Sequence, residues 1–134
     1  MSLTDKELAF CRDVLGIDAD LLFFPRFMFN VHRYGERFAV YVQSHYHGRT
    51  VSEIRGDFSG VVEDFKKEFK GEYGSCEELV KDKLSQQGFE GYLKASHLDW
   101  GCLNFERIVD DWCTVGGLYS RITLNGRIYL FEQI

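Results

Sequence analysis

The histidines closest together in the chain are His45 and His47, on either side of Tyr46. On a strand such an i, i+2 pair shares a face with Cα atoms about 6.6 Å apart, near enough for two ligands of one ion. The third ligand is missing. In the strand register set out below, His32 falls on the same face but lies about 20 Å along the strand from His45. The pair therefore reads as solvated side chains at a strand end, and tight stoichiometric Zn²⁺ binding is the observation that would make it a site. Cys11, Cys76, Cys102 and Cys113 are scattered and form no CxxC pair. They read as free thiols on apolar faces in a reducing compartment. No GxSxG, HExxH, P-loop or GxGxxG pattern occurs. The acid pairs Glu63-Asp64, Glu77-Glu78 and Asp110-Asp111 are sequence neighbours on expected helices. Their side chains diverge by about 100° and point to solvent, not into a shared cleft. No catalytic, cofactor or metal residue is expected. A small Cys/His enzyme stays open as a lesser reading, to be favoured by a deep pocket joining Cys102 or Cys113 to His97.

The elements that would position these residues follow from periodicity. Thr4 and Glu7 stand in capping-box register before a stripe of Leu8, Cys11 and Leu15, a helix that Gly16 ends. Phe27–Tyr34 and Arg37–Tyr46 alternate like two strands around Gly35-Glu36. Pairing Tyr34 with Arg37 sets Val31 opposite Val40 and Phe29 opposite Val42, so Phe27, Phe29, Val31, Phe38, Val40 and Val42 share a core face. His47 to Gly60 reads as a loop. Phe58, Val61, Val62, Phe65 and Phe69 then mark an amphipathic helix that Gly71 stops. Ser75 with Glu78 opens a second helix closing at Gly88, and Phe105, Ile108, Val109 and Trp112 mark a third. Asn125-Gly126 joins Leu118–Leu124 to Arg127–Glu132 in a hairpin, because both turn residues tolerate positive φ. Both faces of that hairpin carry apolar residues. The order is α-ββ-ααα-ββ, an α+β fold of antiparallel hairpins packed with three to four short helices.

Length and charge narrow the function. The 134 residues suit one compact α+β domain, 45% hydrophobic and 28% charged, which excludes an intrinsically disordered chain. No apolar run nears the ~20 residues of a membrane span, and the N-terminus lacks a basic-then-apolar signal pattern, so a cytoplasmic chain is expected. Residues 1–56 hold seven acids and seven bases; residues 57–134 hold fourteen and nine, the whole net charge of −5. Nucleic acid is a poor ligand for that balance, since phosphate binding needs clustered Lys and Arg. A moderate acidic excess also serves solubility alone.

The second half of the chain resembles a known family. Phe69-Lys70-Gly71-Glu72-Tyr73-Gly74-Ser75-Cys76-Glu77-Glu78-Leu79, followed by His97-Leu98-Asp99-Trp100, Gly117, Tyr119, Ser120, Gly126 and Ile128-Tyr129-Leu130-Phe131, looks like the C-terminal module of the ArdA antirestriction proteins. The resemblance spans residues 65–131, about half the chain. It departs from the family where Gly101, Cys102 and Leu103 replace an acid and an Arg-Asp pair, and Lys66, Lys67, Lys70, Lys81 and Lys83 interrupt the acids. It implies a homodimeric, non-enzymatic protein whose carboxylates stand in for DNA phosphates and occupy the basic DNA channel of type I restriction–modification enzymes. The residues that would carry such mimicry are Glu63, Asp64, Glu68, Glu72, Glu77, Glu78, Asp82, Glu106, Asp110 and Asp111. Tyr73, Trp100, Tyr129 and Phe131 read as packing residues instead. The alternative is an interaction or immunity-type protein of a mobile element, with the acidic face joined by Tyr41, Tyr46 and Tyr92 as exposed anchors. Carboxylates alternating with lysines, without a continuous negative stripe, would favour that alternative.

Overall fold

The computed structural model describes residues 2–46 and 48–133 and is α+β. The chain divides into two compact units, Met1–Glu68 and Phe69–Ile134, so the contact boundary falls twelve residues beyond the charge boundary at position 56. Among the described residues no helix is long and apolar enough to cross a membrane.

Unit 1 is helical throughout. Helix α1 (Asp5–Ala9) opens with the expected capping box, Thr4 and Glu7 exchanging bonds of 2.9 and 3.1 Å, and runs on as a π-helical turn over Phe10–Val14. Helix α2 (Ala19–Leu22) is capped by Asp18. The expected hairpin of residues 27–46 is instead a pair of helices, α3 (Pro25–Tyr34) and α4 (Glu36–His45), joined through Gly35 at φ +89°. Phe27, Asn30, Val31 and Tyr34 are spaced i, i+3, i+4, i+7, and this stripe, not the alternating one, is turned inward. Phe29, assigned to the core by strand pairing, is 48% exposed. Pro25 at the first helical turn donates no N–H that a helix would need, which suits α3 to start there. In α4 the run Phe38 to Val42 is buried all round, so it carries no readable period.

Helix α5 (Val51–Gly56) fills part of the expected loop, started by a second capping box of Thr50 with Glu53. Helix α6 (Phe58–Glu68) buries Phe58, Val61 and Phe65 as expected. Edge-on and tilted aromatic contacts tie Phe38 to Phe27, Phe58 and Phe65, with ring centroids 5.2–6.1 Å apart. Such pairs add about 0.5–1.5 kcal/mol each to the burial of their area.

Unit 2 sets helices against a three-stranded antiparallel sheet of order β1-β3-β2. Strand β1 (Phe69–Tyr73) replaces the expected end of the preceding helix. Strands β2 (Tyr119–Leu124) and β3 (Arg127–Glu132) form the expected hairpin, with Asn125 at φ +51° and Gly126 at φ +76°. Ile128 and Leu130 join Tyr73, Leu79, Val80 and Val109 in one core. Tyr129 and Phe131, on the opposite face of β3, are also buried. Helices α7 (Cys76–Gln86) and α9 (Phe105–Cys113) cover the first face, and α8 (Phe89–Ala95), absent from the sequence reading, lies between them in the chain. Trp100 is half-buried, its ring 5.9 Å from Phe89.

Candidate protein-binding face

The ten expected mimic carboxylates divide between the units: Glu63, Asp64 and Glu68 on α6, the other seven in unit 2. On α6, Glu63 pairs with Lys66 at 3.3 Å. Asp64 accepts the Tyr46 hydroxyl at 3.1 Å, and Glu68 accepts that of Tyr41 in a very short bond. Burial and then the carboxylate hold the Tyr41 phenol far above its ordinary range; Tyr46 moves the same way, burial again leading. Both tyrosines are buried, contrary to their expected role as exposed anchors, whereas Tyr92 is exposed as expected. His45 sits on α4 with its ring stacked on Tyr41 at 4.3 Å, and burial lowers its pKa. It is thus a half-buried helical residue, not part of a solvated strand-end pair, and His47 lies outside the described residues.

In unit 2 the motif that carries the resemblance is a closed structural device. Gly71 stands at φ +147° beside an irregularity in β1, and the Tyr73 ring packs over its bare Cα. Tyr73 in turn donates to Asp82 at 2.6 Å, its hydroxyl held protonated by burial and by that carboxylate. Glu72 takes Arg127 at 2.7 Å. Ser75 caps α7 by accepting from the Glu78 amide at 3.2 Å. The Glu78 side chain accepts from the Gly74 amide at 2.8 Å, one residue beyond the cap itself.

The remaining acids lie on α7 and α9. Glu77 pairs with Lys81 at 3.8 Å. Helix α9 starts at Asn104, whose side chain accepts the Arg107 amide at 3.2 Å. It turns Val109 inward, with Phe105, Ile108, Trp112 and Cys113 packed beside the core, and leaves Glu106, Asp110 and Asp111 exposed. Asp110 is bound by Arg121 from β2. The side chains of Glu106 and Asp111 make no hydrogen bond or ion pair among the described residues. Eight of the ten expected carboxylates are therefore engaged within the chain, and two stand open.

Their partners were hidden in sequence. Lys66 and Lys81 are visible at i+3 and i+4. Arg121 and Arg127 are not, being placed 11 and 55 residues from their acids by the sheet. Tyr41 and Tyr46 read as exposed anchors and Tyr73 as a packing residue, none of them as a hydrogen-bond donor to an acid.

All four cysteines are free: Cys11 buried, Cys76 and Cys113 half-buried beside the unit 2 core, and Cys102 exposed rather than on an apolar face. Burial pushes the Cys11 thiol up to about 12, Glu7 and Glu36 adding to it. Among the described residues no three His, Cys, Asp or Glu side chains are grouped to hold a metal ion. Two hollows in unit 1, a groove along α3 and α6 and a cleft lined from α2, α4 and α5, contain none of Cys102, Cys113 or His97. No protein-family model, curated protein or solved structure matches the chain.

Proposed function

We propose that this chain is a non-catalytic protein-binding domain that engages a cationic surface of a partner protein through the outer face of α9. The observation that carries the reading is the pair of open carboxylates, Glu106 and Asp111, on an exposed helix face beside Asp110. An exposed ion pair is worth about 0–1 kcal/mol, so Asp110 can exchange Arg121 for an incoming cation at little cost. Residues i and i+4 on a helix, as Glu106 and Asp110 are, have Cβ atoms about 5–6 Å apart, so one cationic surface can meet both carboxylates.

Mimicry of a DNA duplex is the narrower form of this proposal, and the resemblance supplies its partner: the basic DNA channel of a type I restriction–modification enzyme. Among the described residues from α6 onward, Lys66, Lys70, Lys81, Arg121 and Arg127 already hold acids, so the surface alternates in sign. That alternation supports the broader interaction reading over a continuous phosphate-like stripe. A cytoplasmic homodimer belongs to the same proposal and is checked by sedimentation equilibrium.

The test is binding to a type I methyltransferase core, scored by displacement of labelled DNA. The duplex-mimic form predicts displacement that fades as salt shortens the Debye length from about 14 Å to about 8 Å. It also predicts about tenfold weaker binding for E106Q/D111N. Displacement that ignores both salt and the double substitution would overturn the assignment of the face. No displacement at low salt would leave the interaction reading without this partner and remove duplex mimicry.

A further inference from the structure

We infer that unit 1 carries a binding groove for a small aromatic or branched apolar anion, held at one end by Arg26 and at its floor by Asn30. The inference is independent of the acidic face, which lies in unit 2.

The groove has a volume of about 510 Å³ and runs between α3 and α6. That is within the range of about 300–1,000 Å³ common for small-ligand sites. Its apolar walls are Pro25 and Phe29 from α3 and Val62 from α6. Phe29 is a large aromatic left 48% exposed, whereas Phe27 on the same helix is fully buried. Asn30, which also lines the groove, is 8% exposed and is the one polar side chain in the described core. Its Nδ2 donates to the Arg26 carbonyl at 2.7 Å. Among the described residues no donor reaches its Oδ1, and no enclosed side-chain oxygen is left unsatisfied, so that acceptor keeps some exposure on a residue that lines the groove. A ligand N–H or O–H would satisfy it.

Arg26 supplies the charge. Its Nη2 donates to Ser59 Oγ at 2.7 Å, and its Cζ lies 5.5 Å from the Phe58 ring centroid. Those two contacts fix the guanidinium plane, and no carboxylate pairs with it among the described residues. Its remaining donors match a carboxylate or sulfonate in fork geometry. Glu63 on the rim is paired with Lys66 at 3.3 Å and not with Arg26, which leaves the guanidinium donors open to an anion.

Two dyes test this on the intact chain. 8-Anilinonaphthalene-1-sulfonate joins aromatic rings, an N–H and an anion; N-phenyl-1-naphthylamine is the same molecule without the sulfonate. The sulfonate is expected to bind one to one, about tenfold tighter than the neutral dye. R26Q should erase that difference and leave the neutral dye unchanged. V62W should block both, and backbone amide shifts on titration should fall within residues 25–31 and 58–63. Equal affinity for the two dyes, or sulfonate binding indifferent to R26Q, overturns the anion site. Undiminished binding by V62W, or shifts elsewhere in the chain if that variant fails to fold, overturns the groove itself.

Discussion

Replacing Gly71 by Ala tests the device at the heart of unit 2. A Cβ at this position would stand 2.5 Å from the Tyr73 hydroxyl oxygen and 2.7 Å from two of its ring carbons, contacts that real Cβ atoms do not make. The φ of +147° adds backbone strain of about 1–3 kcal/mol for an L side chain. The Tyr73 ring must move, and its 2.6 Å bond to Asp82 is then lost or lengthened. A bond to a charged acceptor is worth about 1.5–3 kcal/mol; the exposure of Asp82 argues for the lower end. G71A should therefore destabilise unit 2 by about 2–4 kcal/mol, a large share of the total for a domain this size. Trp100 and Trp112 are the only tryptophans and both lie in unit 2, so their fluorescence in urea follows this unit. Y73F alone should cost about 1.5 kcal/mol. Because both substitutions spend the same hydrogen bond, G71A/Y73F should fall short of the sum by about 1 kcal/mol. A G71A transition within about 0.5 kcal/mol of the parent would refute the close packing. Strict additivity would show that the glycine and the phenol do not act together.

Thiol labelling under native conditions should modify Cys102 first and leave Cys11 untouched until the chain unfolds, since the one is exposed and the other is buried with its pKa raised to about 12; mass spectrometry of the digested, labelled chain reads the order. Stability should fall at alkaline pH. The folded state holds Cys11, Tyr41, Tyr46 and Tyr73 protonated above their ordinary values of 9.0 and 10.0, so their contribution is complete below about pH 9 and falls as pH rises past those values, that of Cys11 being gone once pH passes about 12. Urea midpoints measured from neutral pH upward give the slope, and a rising midpoint would contradict the burial of these groups. Ser75→Ala, which removes the acceptor for the Glu78 amide at the start of α7, should cost about 1 kcal/mol in the same tryptophan assay, and an unchanged urea midpoint would contradict the cap.

Local signals that depend on a few adjacent residues were legible in the sequence. The Thr4–Glu7 box and the Asn125-Gly126 turn form as read, and of the Ser75–Glu78 box the Ser75 half forms while Glu78 takes the Gly74 amide instead, because each is decided by backbone donors and φ angles within three or four residues. The segment from Phe27 to Tyr46 was not legible as helix. Phe27, Phe29 and Val31 satisfy a period of two as well as Phe27, Asn30, Val31 and Tyr34 satisfy 3.6, and aromatic and β-branched content tipped the reading to strand. What decides it is tertiary. Phe38 meets Phe27, Phe58 and Phe65, and that cluster rewards a helical stripe with Phe29 left outside. Phe69 fails for the opposite reason. It continues the α6 stripe by spacing, yet it pairs with Phe131 in the sheet, a partner 62 residues away.

The candidate site shows the same division between near and far. Net charge and the exposure of most of the acids could be read from composition and helical spacing, but their availability could not, because availability depends on which cations the fold brings alongside. Arg127 reaches Glu72 across the β1–β3 pairing and Arg121 reaches Asp110 from the neighbouring strand, so two acids that look free in the sequence are neutralised by topology. The residues that carry the family resemblance are constrained in the same way. Gly71, Glu72, Tyr73 and Ser75 each have a complete structural task in holding β1 to β3 and to the start of α7. A partner that bound Glu72 or Asp82 would have to compete with Arg127 or the Tyr73 hydroxyl, and losing either contact loosens the unit that presents them. The side chains of Glu106 and Asp111 hold no hydrogen bond or ion pair among the described residues, so a cation can be recruited there without breaking a contact of the scaffold. Folding alone would keep the motif whatever the partner, and the demands of a partner would fall on the outer face of α9.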